Sequence, residues 1–521
     1  MPLSIVLGRA GAGKTEYVLR EISDALAAAP DGPPILLIVP EQATYVMERE
    51  LASRTMQGAF SRVQVVGFRR LAEKVLAETG GASRPQISDL GKRLVLRRLL
   101  LQHRDSLQIL GRAARQRTFT ATLASAIWEF KTWRVSADSL RLAEGKLKPK
   151  DSSLAAKIHD LTLLYRSFEE FLAGRYHDPE DALSLLANHL GESQLVRQAH
   201  VFIDGFHWFT PQEYGVLEAL MACADQVTVT LCLDGSADSD HAVETSLFHR
   251  PWRTLADLKE TAARHSLTVT ETVLPPGGRF AAAPLLTYLE ESFFASSLPP
   301  YEGDREALLL AEGANRRAEV EGMARQMIVL CREKGWRWRD MAILVRDSDS
   351  YGDLLTIVLT NHGIPYFADR HRPVVHHPLA ELILAALETV RDNWAYDPLF
   401  RCLKTDLFPV SREDIDALEN YCLEFGLRGR RWTDGKPWHY VRRLTLDEDS
   451  EIGPAEREWL DSVNSVRQTV CHYLLPLQAE LLAATTITAY TTAVYHFLLA
   501  LGVPERLEAW SAEAEACGDL D

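Results

Sequence analysis

Over the first eighty residues, short unbroken apolar runs alternate with stretches in which apolar residues recur every three or four positions. The runs Ser4 to Leu7, Ile35 to Val39 and Val63 to Val66 predict strands buried on both faces. The periodic stretches Lys14 to Ala29 and Arg69 to Glu78 predict helices packed against them. Pro30, Asp31, Gly32, Pro33 and Pro34 supply the turn into the second strand. From 84 to 190 the strands vanish and helical spacing takes over, through Leu94 to Leu101 and Thr118 to Trp133, as expected of an insertion. Strands return at His200 to Asp204 and Gln226 to Leu233. Breakers at Pro275, Pro276, Gly277 and Gly278, and again over 296–300, predict a domain boundary. A second series follows: strand Leu308 to Ala311, helix Ala318 to Glu333, strand Met341 to Val345, a helix ending near His362, and strand Pro365 to Phe367. From Pro378 onward the chain reads as helical and rich in tryptophan. The pattern predicts an α/β protein with two parallel-sheet domains, each interrupted by a helical insertion.

Composition narrows the function classes. The chain has 521 residues, 57 Lys and Arg against 72 Asp and Glu, and a formal charge of −15, which opposes nonspecific binding of nucleic acid over the whole surface. Any such contact must be local. Seven scattered cysteines form no C-x-x-C pair and predict neither a disulfide framework nor a metal site. The start, running from Met1 straight into a strand, does not indicate export, so a cytoplasmic location is expected. Leu481 to Val503 has no charged side chain but includes five threonines, and predicts a buried or amphipathic helix rather than a membrane span.

The strongest chemical signal is GRAGAGKT, made of Gly8, Arg9, Ala10, Gly11, Ala12, Gly13, Lys14 and Thr15, between a predicted strand and helix. It fits G-x-x-x-x-G-K-[ST]: glycines let backbone N–H groups curl around phosphates, the lysine reaches the β- and γ-phosphates, and the threonine hydroxyl is placed for Mg²⁺. A carboxylate at the end of a neighbouring strand should hold that ion, and HVFIDGF supplies Asp204. Phosphate-loop motors normally place a glutamate next, to position the attacking water, whereas this chain has Gly205. ATP and Mg²⁺ are the expected ligands, with weak hydrolysis.

Several stretches stand where the layout of superfamily 1 helicases expects motifs: PEQATYVMEREL (Pro40 to Leu51), VVGFRRLAEKVL (Val65 to Leu76), FIDGFHWFTPQE (Phe202 to Glu213) and MAILVRDSDSYGDLL (Met341 to Leu355). With the stretches His376 to Leu407 and Asp414 to Trp432, they resemble the AddB subunits of AddAB helicase-nucleases nearly end to end. The resemblance implies two RecA-like domains. The first comprises 1–83 and 191–280, with a helical insertion over 84–190. The second begins at 300–377, its sheet left incomplete, and has an insertion over 378–521. It implies a partner, an AddA-like motor subunit, in a heterodimer that processes double-strand breaks and recognises a hotspot sequence in the unwound strand. It also implies a degenerate motor, in agreement with Gly205, and Arg346 facing the nucleotide across the cleft between the two sheets. AddB proteins are about twice as long and end in a nuclease domain with a cysteine-bound [4Fe-4S] cluster, so this chain reads as their N-terminal half, without cluster ligands.

Single-stranded DNA is the expected polymer. Gln42, Thr44, Phe68, Arg69, Arg70, His207, Trp208 and Phe209 combine the polar and aromatic groups that a single-strand channel requires. Residues 84–117 carry nine basic side chains, Arg93, Arg97 and Arg98 among them, against two aspartates, a local charge of 9 − 2 = +7. Residues 426–443 offer six against one, with Trp432 and Trp438 available for stacking. Competing classes are an active superfamily 1 translocase, a phosphate-loop kinase acting on a small molecule, and a noncatalytic DNA-binding scaffold. ATPase assays with and without single-stranded DNA separate them.

Overall fold

The computed structural model describes residues 2–54, 62–81, 84–113, 116, 118–147, 152–234, 243–292, 298, 300–368, 374–441 and 453–518. Arg115, Arg117, Arg442 and Arg443, counted in the two basic stretches, lie outside these. The chain divides into two compact units, Met1–Glu312 and Gly313–Asp521.

In the first unit six strands form one parallel sheet: β1 (Pro2–Gly8), β2 (Ile35–Ile38), β3 (Val63–Val66), β4 (His200–Ile203), β5 (Gln226–Cys232) and β6 (Thr268–Val273). Their order is β3-β2-β4-β5-β1-β6. The period of two in a strand explains why these runs are apolar throughout. Ile35 and Leu37 face a core with Val18, Leu19 and Ile22 of the helix Lys14–Ala28, while Leu36 and Ile38 face a second core with Leu71 and Val75 of the helix Phe68–Thr79. Helices cover both faces, so both sets of side chains are buried. β6 was not expected from the sequence. It pairs with β1 only, is mostly exposed, and alternates threonine and valine as a half-solvated edge strand does.

The insertion leaves the sheet after the helix Phe68–Thr79 and folds around its own core, built from the helices Asp89–Gln102, Phe119–Thr132 and Ser152–Leu172. Its entrance and exit are zipped together: Ile87 N–H donates to His177 O at 2.9 Å and His177 N–H to Pro85 O at 2.9 Å. Inside, the fully buried Asp160 accepts three backbone N–H groups, from Gln108, Ile109 and Leu110, each at 2.8 Å. A second polar knot joins Lys131 to Asp178 (2.8 Å) and Asp181 (2.9 Å), and Lys92 to Asp178 (2.8 Å) and Glu180 (3.2 Å). Burial opposes the charge on Lys131, yet Asp181 and Asp178 hold its ammonium above its ordinary range. Asp178 likewise sits below its ordinary range despite burial, because Lys131 and Lys92 flank it.

The second unit departs from expectation. Its helices form as predicted, Arg316–Lys334 and Ser348–Asn361 around one small core and Pro378–Arg391 to Val503–Ala516 around a larger one. Among the described residues of this unit there is no strand. Met341 to Val345 and Pro365 to Phe367, and Leu308 to Ala311 at the end of the first unit, run without ladder partners. Leu310 is 94% exposed, Leu344 91% and Phe367 92%. A β-branched or apolar run becomes a strand only when another edge takes up its N–H and C=O groups. Among the described residues, no single helix is long and apolar enough to cross a membrane; the bent pair Ile487–Ala500 and Val503–Ala516 meets that length and composition only when taken together.

Candidate functional site

The carboxyl ends of β1, β5 and β4 carry the candidate site. After β1 the chain turns through Gly11 (φ 75°) and Gly13 (φ 93°), left-handed conformations that a side chain would strain, and enters the helix at Lys14. Lys14 Nζ donates to Gly8 O at 2.7 Å and to Arg9 O at 2.9 Å, bracing the loop from within. The Thr15 hydroxyl donates to Asp204 Oδ2 at 2.7 Å, across 189 residues of sequence. Asp204 does not stand on the strand next to β1, as expected: β5 lies between, and its buried Thr230 donates to the other carboxylate oxygen of Asp204. Thr230 was missed from sequence, although a polar residue within the apolar run Val227 to Leu231 was its signal. Gly205 follows with φ 84°, and a Cβ there would stand 3.2 Å from Pro40 Cδ.

Residues from the far end of the unit close over the loop. Arg279 N–H donates to Gly11 O at 2.9 Å, and the Phe280 ring lies where a Cβ on Gly11 would stand, 2.6 Å from it. Arg9 pairs with Glu290 at 2.9 Å, its guanidinium 5.3 Å from the centre of the Phe248 ring. None of these partners carries a motif, and chain separation hid them.

Among the residues expected to meet nucleic acid, Gln42, Arg93, Arg98, His207 and Trp208 are exposed, and Thr44 and Arg97 are half-buried. Arg69 and Arg70 point outward, with Glu180 at 4.0 Å and Glu48 at 3.9 Å respectively. Phe68 and Phe209 are corrected to core residues. They are 5% and 3% exposed and pack on each other and on Phe206, which leaves no ring face for a base. Trp432 and Trp438 are likewise interior, 2% and 4% exposed, in edge-on contact at 4.9 Å. Lys92 is removed from the basic patch by the acids around it. A groove of about 740 Å³ between the insertion and the sheet remains, lined by Arg69, Ser88, Arg93, Trp128 and Glu180. Glu41, also unforeseen, accepts the Arg69 N–H at 3.3 Å and so caps a helix whose own N-cap, Gly67, has no side chain to do it. Arg346 lies exposed in the second unit, ahead of the helix Ser348–Asn361.

The family model described as ADDB, N-terminal, matches residues 5–290. The chain is 46% identical to the ATP-dependent helicase/deoxyribonuclease B subunit of Desulforudis audaxviator, covering all of this chain and 46% of that protein. It is 46% identical to the protein of that name from Pelotomaculum thermopropionicum and 39% to that from Bacillus thuringiensis, in each case over all of this chain and 45% of the relative. It thus spans somewhat under half the length of these curated relatives. A match that takes in the phosphate loop, Asp204 and the whole insertion, with likeness running the length of the chain, means that the chain belongs to the AddB family.

Proposed function

We propose that this chain is the helicase-like module of the AddB component of an ATP-dependent helicase-nuclease, binding Mg·ATP at Gly8 to Thr15 and single-stranded DNA beside it. The observation that carries the reading is the convergence of Thr15 and Asp204 at 2.7 Å beneath a loop with two left-handed glycines. A hydroxyl and a carboxylate oxygen are the hard donors that Mg²⁺ prefers, and the loop backbone with Lys14 suits the phosphates. Bound Mg²⁺ would offset phosphate charge. The protein's own part is to hold and orient: Thr230 fixes one oxygen of Asp204 and leaves the other toward Thr15. Nothing at Gly205 can orient water, so binding should outrun hydrolysis, which disfavours an active translocase.

The names of the relatives support a role in ATP-dependent processing of DNA ends, with an AddA-like partner in a cytoplasmic heterodimer and recognition of a hotspot sequence by the wider protein. Calorimetry with Mg·ATP on wild type and Lys14→Ala tests the site, with binding lost or weakened at least tenfold in the variant. Phosphate release measured with single-stranded DNA tests the motor. Turnover near the common enzyme median of about 10 s⁻¹ would overturn the degenerate reading.

A further inference from the structure

Two tryptophans meet where the insertion touches the sheet. Trp133 ends the helix Phe119–Thr132, and Trp208 lies in the loop between β4 and the helix Pro211–Cys223. Their rings lie 21° from parallel with centroids 6.3 Å apart, and the Arg250 guanidinium sits 5.8 Å from the centre of the Trp208 ring. Both rings remain open to water, 52% and 41% exposed. The same chain shows how a stack built for packing differs: Trp394 and Trp432 lie at 6.0 Å and 26°, yet are 0% and 2% exposed.

The exposed stack is held in place by unusual backbone. Arg134 adopts φ 54°, a left-handed conformation that costs a non-glycine residue roughly 1–2 kcal/mol. Its guanidinium Nη2 lies 2.1 Å from where a Cβ on Gly215 would stand. Gly215 therefore leaves a seat in the helix Pro211–Cys223 for Arg134, and the turn at Arg134 sets Trp133 beside Trp208. Strain of this kind persists where surrounding contacts enforce it, often at binding sites. A cavity of about 660 Å³ adjoins the stack, lined by Ala10 of the phosphate loop, His207, Trp208 and Arg250. Of its two carboxylates, Glu290 is paired with Arg9 and Glu244 is exposed.

We propose that Trp133 and Trp208 form a base-stacking step for single-stranded nucleic acid, with Arg250 supplying charge and Arg134 acting as a positioning residue. Flat, half-open rings flanked by guanidinium groups match a ligand that presents π faces on an anionic backbone. The proposal rests on the single-strand reading above, and the test separates the two. Binding of labelled oligothymidylate is measured against an oligomer of equal length made of abasic residues, which keeps the phosphates without the bases. Trp133→Ala should weaken oligothymidylate binding about 5- to 150-fold, the range that loss of one stacked base implies, and leave the abasic oligomer unaffected. Trp133→Phe should recover much of the loss, and the salt dependence should not change, since no phosphate contact is removed. Should Trp133→Ala fail to fold, Trp133→Leu keeps the packed volume without the π face and carries the same comparison. Equal loss on both oligomers, or none on either, would make the pair mere packing and overturn the step. Failure of wild type to bind either oligomer would take down the single-strand reading itself.

Discussion

Gly205 is set apart from its neighbours by backbone as well as by side chain. With φ 84° and Pro40 Cδ 3.2 Å from a Cβ position, it is a poor place to restore a glutamate. We expect Gly205→Glu to lower stability by about 1–2 kcal/mol in urea unfolding and to raise phosphate release little; a robust gain in turnover would contradict this. His200 is a second residue whose setting decides its chemistry. Burial in the sheet pushes its imidazole down to about 4, Asp225 opposing and Arg62 adding, while Nε2 lies 3.1 Å from Thr228 Oγ1. A depressed histidine is neutral when folded, so between pH 6.5 and 4 the unfolded chain binds the extra proton. Its contribution is whole above about pH 6.5 and is lost as pH falls toward 4. Denaturant titrations of wild type and His200→Gln over that window should show a steeper acid loss in wild type, on the order of 1–3 kcal/mol.

Among elements, the insertion depends on a carboxylate more than on any single apolar contact. Asp178 is 4% exposed and lies 2.8 Å from each of Lys92 and Lys131, so Asp178→Asn leaves two buried ammonium groups short of a partner. Breaking such a cluster costs roughly 3–5 kcal/mol, and we expect a large fall in the unfolding midpoint, whereas Asp138→Asn at the exposed Arg166 pair should cost under about 1 kcal/mol. Elements were also where the sequence was most and least informative. β1 to β5 and their helices were legible because runs buried on both faces leave only one period to read. β6 was not, since its alternating threonines resemble a loop. Trp208 and Phe209 are adjacent, yet one ring faces water and the other the core. Composition treats them alike, and only the packing of Phe206 and Phe68 tells them apart. The phosphate loop was readable because its glycines answer to local backbone geometry. Thr230, Phe280 and Glu290 answer to tertiary contacts that no spacing records.

At the scale of the whole molecule, a charge of −15 keeps polyanions at a distance except where local cations dominate. Binding of single strands should therefore weaken steeply with salt, and Arg93→Glu with Arg98→Glu should flatten the dependence by about 0.7 in log-log slope for each phosphate that is no longer neutralised. An unchanged slope would make those arginines a solvated helix face. The expected second sheet was legible as apolar runs and not as strands, because pairing is a property of neighbours and these runs have none among the described residues. Leu309, Leu310, Leu344 and Phe367 are left facing water. For anyone handling the protein, those side chains set its colloidal behaviour. Apolar edges with free backbone groups are adhesive, and salting-out anions sharpen the adhesion. Light scattering should show association rising with protein concentration and with sulfate, and receding when Leu310 and Leu344 are replaced by lysine.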